Sequence, residues 1–432
     1  MRQAEQDMQT SLRGIAQRAE ACPGHRFGNL YGLLNERNLH WCFRHLNKKA
    51  APGVDGVDYE AFAENLPDNV TRLAEDLKEK RYHAGLVRRR YIPKGATGRR
   101  PLGIPTVADK VLQTGAAKVL EAIFEADFLE CSHGYRRGRG PRSAALELGR
   151  TLHRGRFRWV VDADLKSYFD TISHDWMLRM LAERIDDGAF LALIRKWLKA
   201  GILEEDGSIL HPTTGTPQGG IVSAVLANTY LHYALDLWVE RVVKPRCRGD
   251  VTMMRFADDF VCCFQYKDDA DRFMRALTPR LAKFNLTLSA EKTRLLRFTR
   301  FETSGGNTFT FLGFEYRWET SRTGRPIVRL RTSPKKLRQA VQTVTRWLRK
   351  NCRGKPAHAI LATLARKLRG HYNYYGVCGN ARGIWRYYRE VVRLLFKWLN
   401  RRSQRRSYNW KGFLAMCEHF RLPRPKIVAY WD

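Results

Sequence analysis

No run of about 18 apolar residues occurs anywhere in this 432-residue chain, so nothing in it reads as a membrane-spanning helix. The opening stretch MRQAEQDMQTSLRG is polar and carries acids, which does not match a secretory signal. Nine cysteines are present, but none stands in a C-x-x-C pair, so neither a zinc site nor a disulfide framework is indicated. The expectation is a cytoplasmic protein with reduced thiols. Internal repeats and long low-complexity linkers are also lacking, and a hydrophobic content of 44% is ample for packed cores.

Acidic residues are scarce, above all near the end. The whole chain has 77 Lys and Arg against 43 Asp and Glu, a net charge of +34, far beyond what solubility requires. Residues 331–432 hold 25 of those basic residues against Glu390, Glu418 and Asp432, a net of +22, which leaves +12 for the other 330 residues. A polyanion is the natural partner. A membrane surface would also attract such charge, but here it is interleaved with Tyr372, Tyr374, Tyr375, Trp385, Tyr387, Tyr388, Trp398 and Trp410. Rings among arginines suit stacked bases and a phosphate backbone.

Apolar spacing predicts helices through NLYGLLNERNLHWCFRHLNKK and VTRLAEDLKEKR, separated by the turn-rich APGVDGVD. Between about 86 and 318 the pattern is mixed. Strands are expected at VRRRYIP, RFRWVVDADL, VTMMRFA, FVCCFQY and FTFLGFEYRW. Helices are expected at ADKVLQTGAAKVLEAIF, HDWMLRMLAERI, IVSAVLANTYLHYALDLWVERV and DADRFMRALTPRLAKF, and the chain is helical again after SPKKLRQAVQTVTRWLRK. Strands and helices in irregular order point to an α+β class rather than a doubly wound sheet.

One short stretch raises a chemical question. In RFADDFVCCF two apolar runs leave Asp258 and Asp259 as a two-residue connection, where Asn-Gly or Asp-Gly is the usual hairpin choice. Asp is common in turns, so the pair alone decides nothing. Carboxylate oxygens, however, are the ligands of a hard cation such as magnesium. Upstream, WVVDADLKSYFDTISHD runs apolar residues into Asp162 and Asp164 before a bend. An acid at a strand end can face a hairpin tip, and three such acids suit two metal ions held roughly 3.5–4 Å apart for in-line phosphoryl transfer. Alternation puts Asp162 and Asp164 on one face, so spacing does not choose between them.

The ordered series YIPKGATGRRPLGIPTVADKVLQ, WVVDADLKSYFDTISHD, GTPQGGIVSAVLANTYLHYALD, RFADDFVCCF, LSAEKTRLLRF and FTFLGFEYRW resembles the successive motifs of reverse transcriptases encoded by bacterial group II introns. The likeness extends over nearly the full chain. NKKAAPGVDGVD is similar to the family's N-terminal fingers extension, and LRGHYNYYGVCGNARGIWRYYREVVRLLFKWLNRRSQRRSYNW to its thumb or maturase segment.

The resemblance implies that Asp164, Asp258 and Asp259 are the catalytic ligands of Mg2+. It places Phe169 where a ring excludes a 2′-hydroxyl, and makes Lys94 and Arg100 the clamp on the incoming triphosphate. Pro217, Gln218, Gly219 and Gly220 would lie beneath the templating base, and Lys292 would serve as general acid near the leaving pyrophosphate. Two departures are visible. Phe256 stands where a Tyr is usual, and GYRRGRGPRS replaces the commoner Gly-Phe-Arg-Pro-Gly-Arg-Ser, so Tyr135, Arg136 and Arg139 are expected to meet template or primer in a modified way. Arg401, Arg402, Arg405 and Arg406 extend the expected nucleic-acid surface. No cysteine-paired endonuclease segment follows, so second-strand cleavage is not expected.

The implied fold is an α+β right-hand polymerase: a helical N-terminal extension with the start of the fingers (1–85), a fingers and palm domain (86–320), a helical thumb or maturase domain (331–400) and a basic nucleic-acid-binding tail (401–432). The implied function is RNA-directed DNA synthesis with deoxynucleotides, together with binding of a group II intron RNA for splicing and retrohoming. Partners would be structured RNA, a DNA target or primer and the dNTP, with no membrane. The alternatives are a domesticated relative working in phage defence or repair without an intron, an RNA-dependent RNA polymerase, which Phe169 argues against, and a pure binding protein, which has no use for all these acids.

Overall fold

The computed structural model describes residues 2–94, 98–302, 307–402 and 407–431. The chain opens with α1 (Arg2–Ala21), α2 (Glu36–Arg44), α3 (Tyr59–Glu64) and α4 (Leu66–Lys78); α2 and most of α4 fall in the two stretches where apolar spacing predicts helix. A hairpin, β1 (Val87–Lys94) and β2 (Gly98–Ile104), leads into α5 (Val107–Phe124), whose first turn is closed by the Thr106 hydroxyl accepting from the Asp109 N–H. Then come α6 (Pro141–Arg154), β3 (Trp159–Asp164), α7 (Tyr168–Thr171), α8 (His174–Ala182) and α9 (Gly188–Leu198). The short strands β4 (Ile202–Leu203) and β5 (Ile209–Leu210) precede α10 (Ser223–Leu231), which runs on through two π-helical turns into α11 (Lys244–Arg246).

The second half holds β6 (Val251–Phe256), β7 (Asp259–Phe264), α12 (Lys267–Ala282), β8 (Arg294–Arg297), β9 (Phe309–Phe311), β10 (Phe314–Thr320) and β11 (Pro326–Thr332). It ends in α13 (Pro334–Asn351), α14 (Ala357–Tyr375), α15 (Ala381–Leu399) and α16 (Trp410–His419). The run FTFLGFEYRW is two strands rather than the single one expected. Leu312 and Gly313, at φ of 51° and 80°, turn the chain so that β9 and β10 pair antiparallel, Phe314 opposite Phe311. Among the described residues no helix is long and apolar enough to cross a membrane.

The chain gathers into two compact units that are not consecutive segments. The first comprises Met1–Arg137, Asp164–Arg246 and Phe273–Ser289; the second comprises Gly138–Ala163, Cys247–Arg272 and Ala290–Asp432. The stretch expected to be one fingers and palm domain thus contributes to both. The first unit carries the sheet β2-β1-β4-β5, with β1 antiparallel to β2 and parallel to β4.

The second unit carries two sheets, β6-β7-β3-β8 and β11-β10-β9. One core joins them to α6: Leu148 and Leu152 pack with Val160, Val261, Phe309 and Tyr316, and the Tyr316 hydroxyl donates to the Ala145 carbonyl at 2.9 Å. Helices α13 to α16 enclose their own core, centred on Leu348, Leu364, Leu395 and Phe413. That core absorbs several rings expected to face nucleic acid. Tyr372 and Tyr387 are buried, and Tyr375, Tyr388 and Trp398 pack against them, while Trp385 and Trp410 stay exposed. Helical spacing made these rings one face of a bundle, and burying a Tyr or Trp ring is worth more than leaving it in water.

Candidate active site

The two acids of RFADDFVCCF are displaced by one residue from their expected places. The turn consists of Ala257 and Asp258; Asp259 already belongs to β7 and pairs with Phe256 across the ladder. Ala257 adopts φ of 55°, the left-handed region that a hairpin's first central position normally gives to glycine. A neighbour holds it there: Arg255, with no exposed surface, donates from Nη1 to the Ala257 carbonyl at 3.1 Å. Both carboxylates are half-buried.

Strand β3 lies between β7 and β8. The Arg158 N–H donates to the Phe264 carbonyl at 2.9 Å, so the start of β3 meets the end of β7. Asp164 is the last residue of β3. Asp162 has a partner on β8. It sits opposite Arg294 in the last pair of the β3–β8 ladder and forms an ion pair with it at 3.2 Å. Lys292 is exposed in the turn just before β8.

Among the described residues no three His, Cys, Asp or Glu side chains gather closely enough to enclose a metal ion. The donor set nevertheless fits magnesium: hard oxygens, half-buried, adjacent in sequence and carried at the end of a ladder.

Asp259 opens onto a groove of about 890 Å³ within the second unit. Its other walls supply Arg294, Lys335, Lys336, Arg338 and Tyr374, so one carboxylate faces a largely cationic lining. The Tyr374 hydroxyl donates to the Leu312 carbonyl at 2.9 Å, and burial together with the Asp259 charge pushes its phenol above the ordinary range.

In the first unit, a loop ties the residues after Asp164 to the β1-β2 hairpin. Thr216 N–H donates to the Phe169 carbonyl at 2.8 Å and Gly215 N–H to the Ile172 carbonyl at 2.7 Å. Gly215 has φ of 91°, and a Cβ there would stand 2.9 Å from the carbonyl oxygens of both Phe169 and Asp170. Further along, Gly103 N–H donates to the Gln218 carbonyl at 2.8 Å. A Cβ on Gly103 would meet Pro217, and one on Gly219, at φ of 123°, would stand 2.6 Å from the Gly103 oxygen. Pro217, Gln218 and Gly219 are thus clamped to β2, and Phe169, half-buried, is fixed through its own backbone. Positions 94 and 100 lie close on the β1-β2 ladder, Lys94 opposite Gly98 and Ile92 opposite Arg100, which is exposed.

The sequence profile described as "Reverse transcriptase (RNA-dependent DNA polymerase)" matches residues 92–316, which hold the hairpin, β3 and the clamped loop. The chain belongs to the reverse transcriptase family. A second profile, "Group II intron, maturase-specific domain", matches residues 337–413, from within α13 to the first turn of α16. Protein YkfC of Escherichia coli K12 is 36% identical over 214 residues, 48% of this chain and 55% of that protein. The group II intron-encoded protein LtrA of Lactococcus lactis subsp. cremoris is 36% identical over 216 residues, 49% of this chain and 35% of that one. An uncharacterized 91 kDa protein in the cob intron of Schizosaccharomyces pombe is 40% identical over 229 residues, 50% of this chain and 28% of its own length. The matched stretches span about half the length of these relatives or less. Telomerase from Candida albicans, solved with a TWJ fragment of telomeric RNA, superposes with a TM-score of 0.45 at 12% identity, over 84% of this chain and 68% of that one.

Within this reverse transcriptase the basic residues expected at nucleic acid divide in two. Arg136 is only 7% exposed: it pairs with Glu125 at 2.8 Å, donates to the carbonyls of Leu129 and Ser132, and lies over the Phe128 ring. Its guanidinium is used inside the fold, and the expectation of a nucleic-acid contact is corrected. Tyr135, at φ of 58°, is exposed, and Arg139 is partly so. Arg401 is exposed over the Trp398 ring, whereas Arg402 turns inward and donates to the Lys355 carbonyl at 2.8 Å. Arg405 and Arg406 lie outside the described residues.

Arg255, Gly103 and Gly215 were not singled out from the sequence. A charged residue at the inward parity of an apolar strand was the available signal for the first.

Proposed function

We propose that the chain is an RNA-directed DNA polymerase that extends a primer with deoxynucleotides on an RNA template. The observation that carries this reading is the turn that sets Asp258 and Asp259 at the head of β7, with Asp259 opening onto the cation-lined groove. Asp164, Asp258 and Asp259 would hold Mg2+, which when bound lowers the pKa of an attacking hydroxyl and offsets charge on a leaving pyrophosphate. Lys94 and Arg100 would grip the triphosphate, Arg100 from an exposed strand position. Phe169, held through its carbonyl, would close the space that a ribonucleotide needs. Lys292, exposed before β8, would donate a proton to the departing pyrophosphate.

The helices from α13 to α16 would act as thumb, and their match to a maturase-specific domain supports a second role, binding a group II intron RNA for splicing and retrohoming. Residues 1–85 would then be an N-terminal extension with the start of the fingers. The net charge of +22 after residue 330 serves both roles. The protein would work in the cytoplasm. The direct test is extension of a labelled DNA primer annealed to RNA, with dNTPs and Mg2+. Template-dependent products support the reading, and their absence from folded protein that still binds the hybrid overturns it.

A further inference from the structure

A second groove, of about 870 Å³, opens in the second unit between the start of α6 and the last residues of the chain. Arg139, Arg142, Asn373, Tyr374 and Tyr430 line it, and among the described residues no carboxylate does. Gly138, Gly140 and Gly370 contribute bare backbone, and a Cβ built on any of them would meet nothing within 4 Å. A bulky ligand can therefore approach the main chain closely.

The wall formed by the chain's end is fixed. Val428 and Ala429 N–H groups donate to the Gly376 carbonyl at 2.7 and 3.2 Å, and Cys378 N–H donates to the Ala429 carbonyl at 2.9 Å. Trp431 packs onto α6, its ring 5.5 Å from that of His153 and one edge 3.2 Å from where a Cβ on Gly149 would stand. Between these anchored neighbours Tyr430 is 66% exposed. A ring in water on an immobile backbone contributes nothing to the core, but it is ready to stack with little loss of freedom.

Opposite, Arg142 Nη1 donates to the Asn373 carbonyl at 3.0 Å, which sets that guanidinium at the first turn of α6, where the helix end adds positive potential. Tyr374 lines both this groove and the one onto which Asp259 opens, so the two share a wall.

We propose that this groove is a nucleotide subsite for one nucleic-acid strand, with a base stacked on Tyr430 and the adjoining phosphates at Arg139 and Arg142. The strand would continue past Tyr374 toward the acid-bearing groove. This deepens the polymerase reading and rests on it. An acidic peptide would satisfy the arginines but has no need of the ring or of the bare glycine floor.

The test uses the full chain and two probes, oligo(U) and oligo(dT) 20-mers carrying single 5-iodouracil substitutions. Photocrosslinking followed by mass spectrometry should place an adduct on Tyr430, and the better-bound probe identifies the strand as RNA or DNA. Tyr430→Ala should weaken binding about 5- to 100-fold, with Tyr430→Phe restoring most of it. Gly370→Leu fills the groove without changing charge; it introduces a good helix former where no neighbour stands, so folding is retained, and it should weaken binding similarly. Unchanged binding in Tyr430→Ala and Gly370→Leu, with no adduct on Tyr430, would overturn the subsite while leaving primer extension by the wild type intact. Competition by poly-glutamate that depends on Tyr430 when neither oligonucleotide binds there would overturn it too. A wild type that extends no primer would instead overturn the polymerase reading.

Discussion

The Arg255 guanidinium, wholly buried, donates at 3.1 Å to the carbonyl oxygen of Ala257, the residue whose positive φ turns the chain into Asp258 and Asp259. A backbone conformation that costs an alanine on the order of 1 kcal/mol is thus held from beneath by a charged side chain. Arg255→Met should lower unfolding free energy by about 2–4 kcal/mol, since it leaves a buried carbonyl without its donor. It should also raise the Mg2+ concentration needed for half-maximal extension, because the turn no longer holds its carboxylates in one place. Urea denaturation and a magnesium titration of single-nucleotide extension check the two effects. Lost stability with an unchanged magnesium requirement would reduce Arg255 to a packing residue.

Phe169 is expected to govern sugar selection. Its backbone is held by Thr216, so replacing the ring leaves the local chain in place. Phe169→Val should raise the use of ribonucleotides relative to deoxynucleotides by roughly 10-fold or more, the scale set when a steric block worth 1–3 kcal/mol is removed. Competing rates of single-nucleotide addition measure it. An unchanged ratio would show that another side chain contacts the 2′ position.

The family was legible in the sequence because motif order and residue type are properties of the chain. Register was less legible. Alternation assigned Asp258 and Asp259 jointly to the turn, but Ala257 accepts the left-handed conformation and Asp259 joins the ladder, an outcome that depends on Arg255 packing beneath. FTFLGFEYRW reads as one strand because nothing local forbids it; the reversal at Leu312 and Gly313 appears only in the folded chain. Arg136 and Tyr372 look like nucleic-acid residues in a basic, aromatic context, and both are consumed by tertiary packing. The stretch after 401 was expected to be a basic tail. Its described residues instead form α16 and a strap bonded to Gly376 and packed on α6.

His371 makes part of the fold sensitive to acid. Burial between the Tyr372, Tyr375 and Tyr387 rings lowers its pKa to about 4, and Nε2 has no hydrogen-bond partner. The unfolded chain takes up this proton near pH 6.5, whereas the folded chain resists it until about pH 4. The contribution is therefore intact above pH 6.5 and is lost as pH falls toward 4, up to about 3 kcal/mol in all. His371→Phe should flatten that part of the stability profile, as read from denaturation midpoints between pH 4 and 7. A parallel profile in the variant would place the acid sensitivity elsewhere.

The most direct measurement compares the wild type with the double substitution Asp258→Asn and Asp259→Asn, in primer extension on an RNA template and in binding to the same hybrid. Amides keep the size of the turn residues but remove both charges, whereas affinity comes mainly from basic residues elsewhere. Extension should fall at least 1,000-fold, about 4 kcal/mol in barrier, while the dissociation constant stays within about threefold. Extension surviving at wild-type rates in the folded variant would make Asp258 and Asp259 ordinary turn residues and contradict the proposed chemistry.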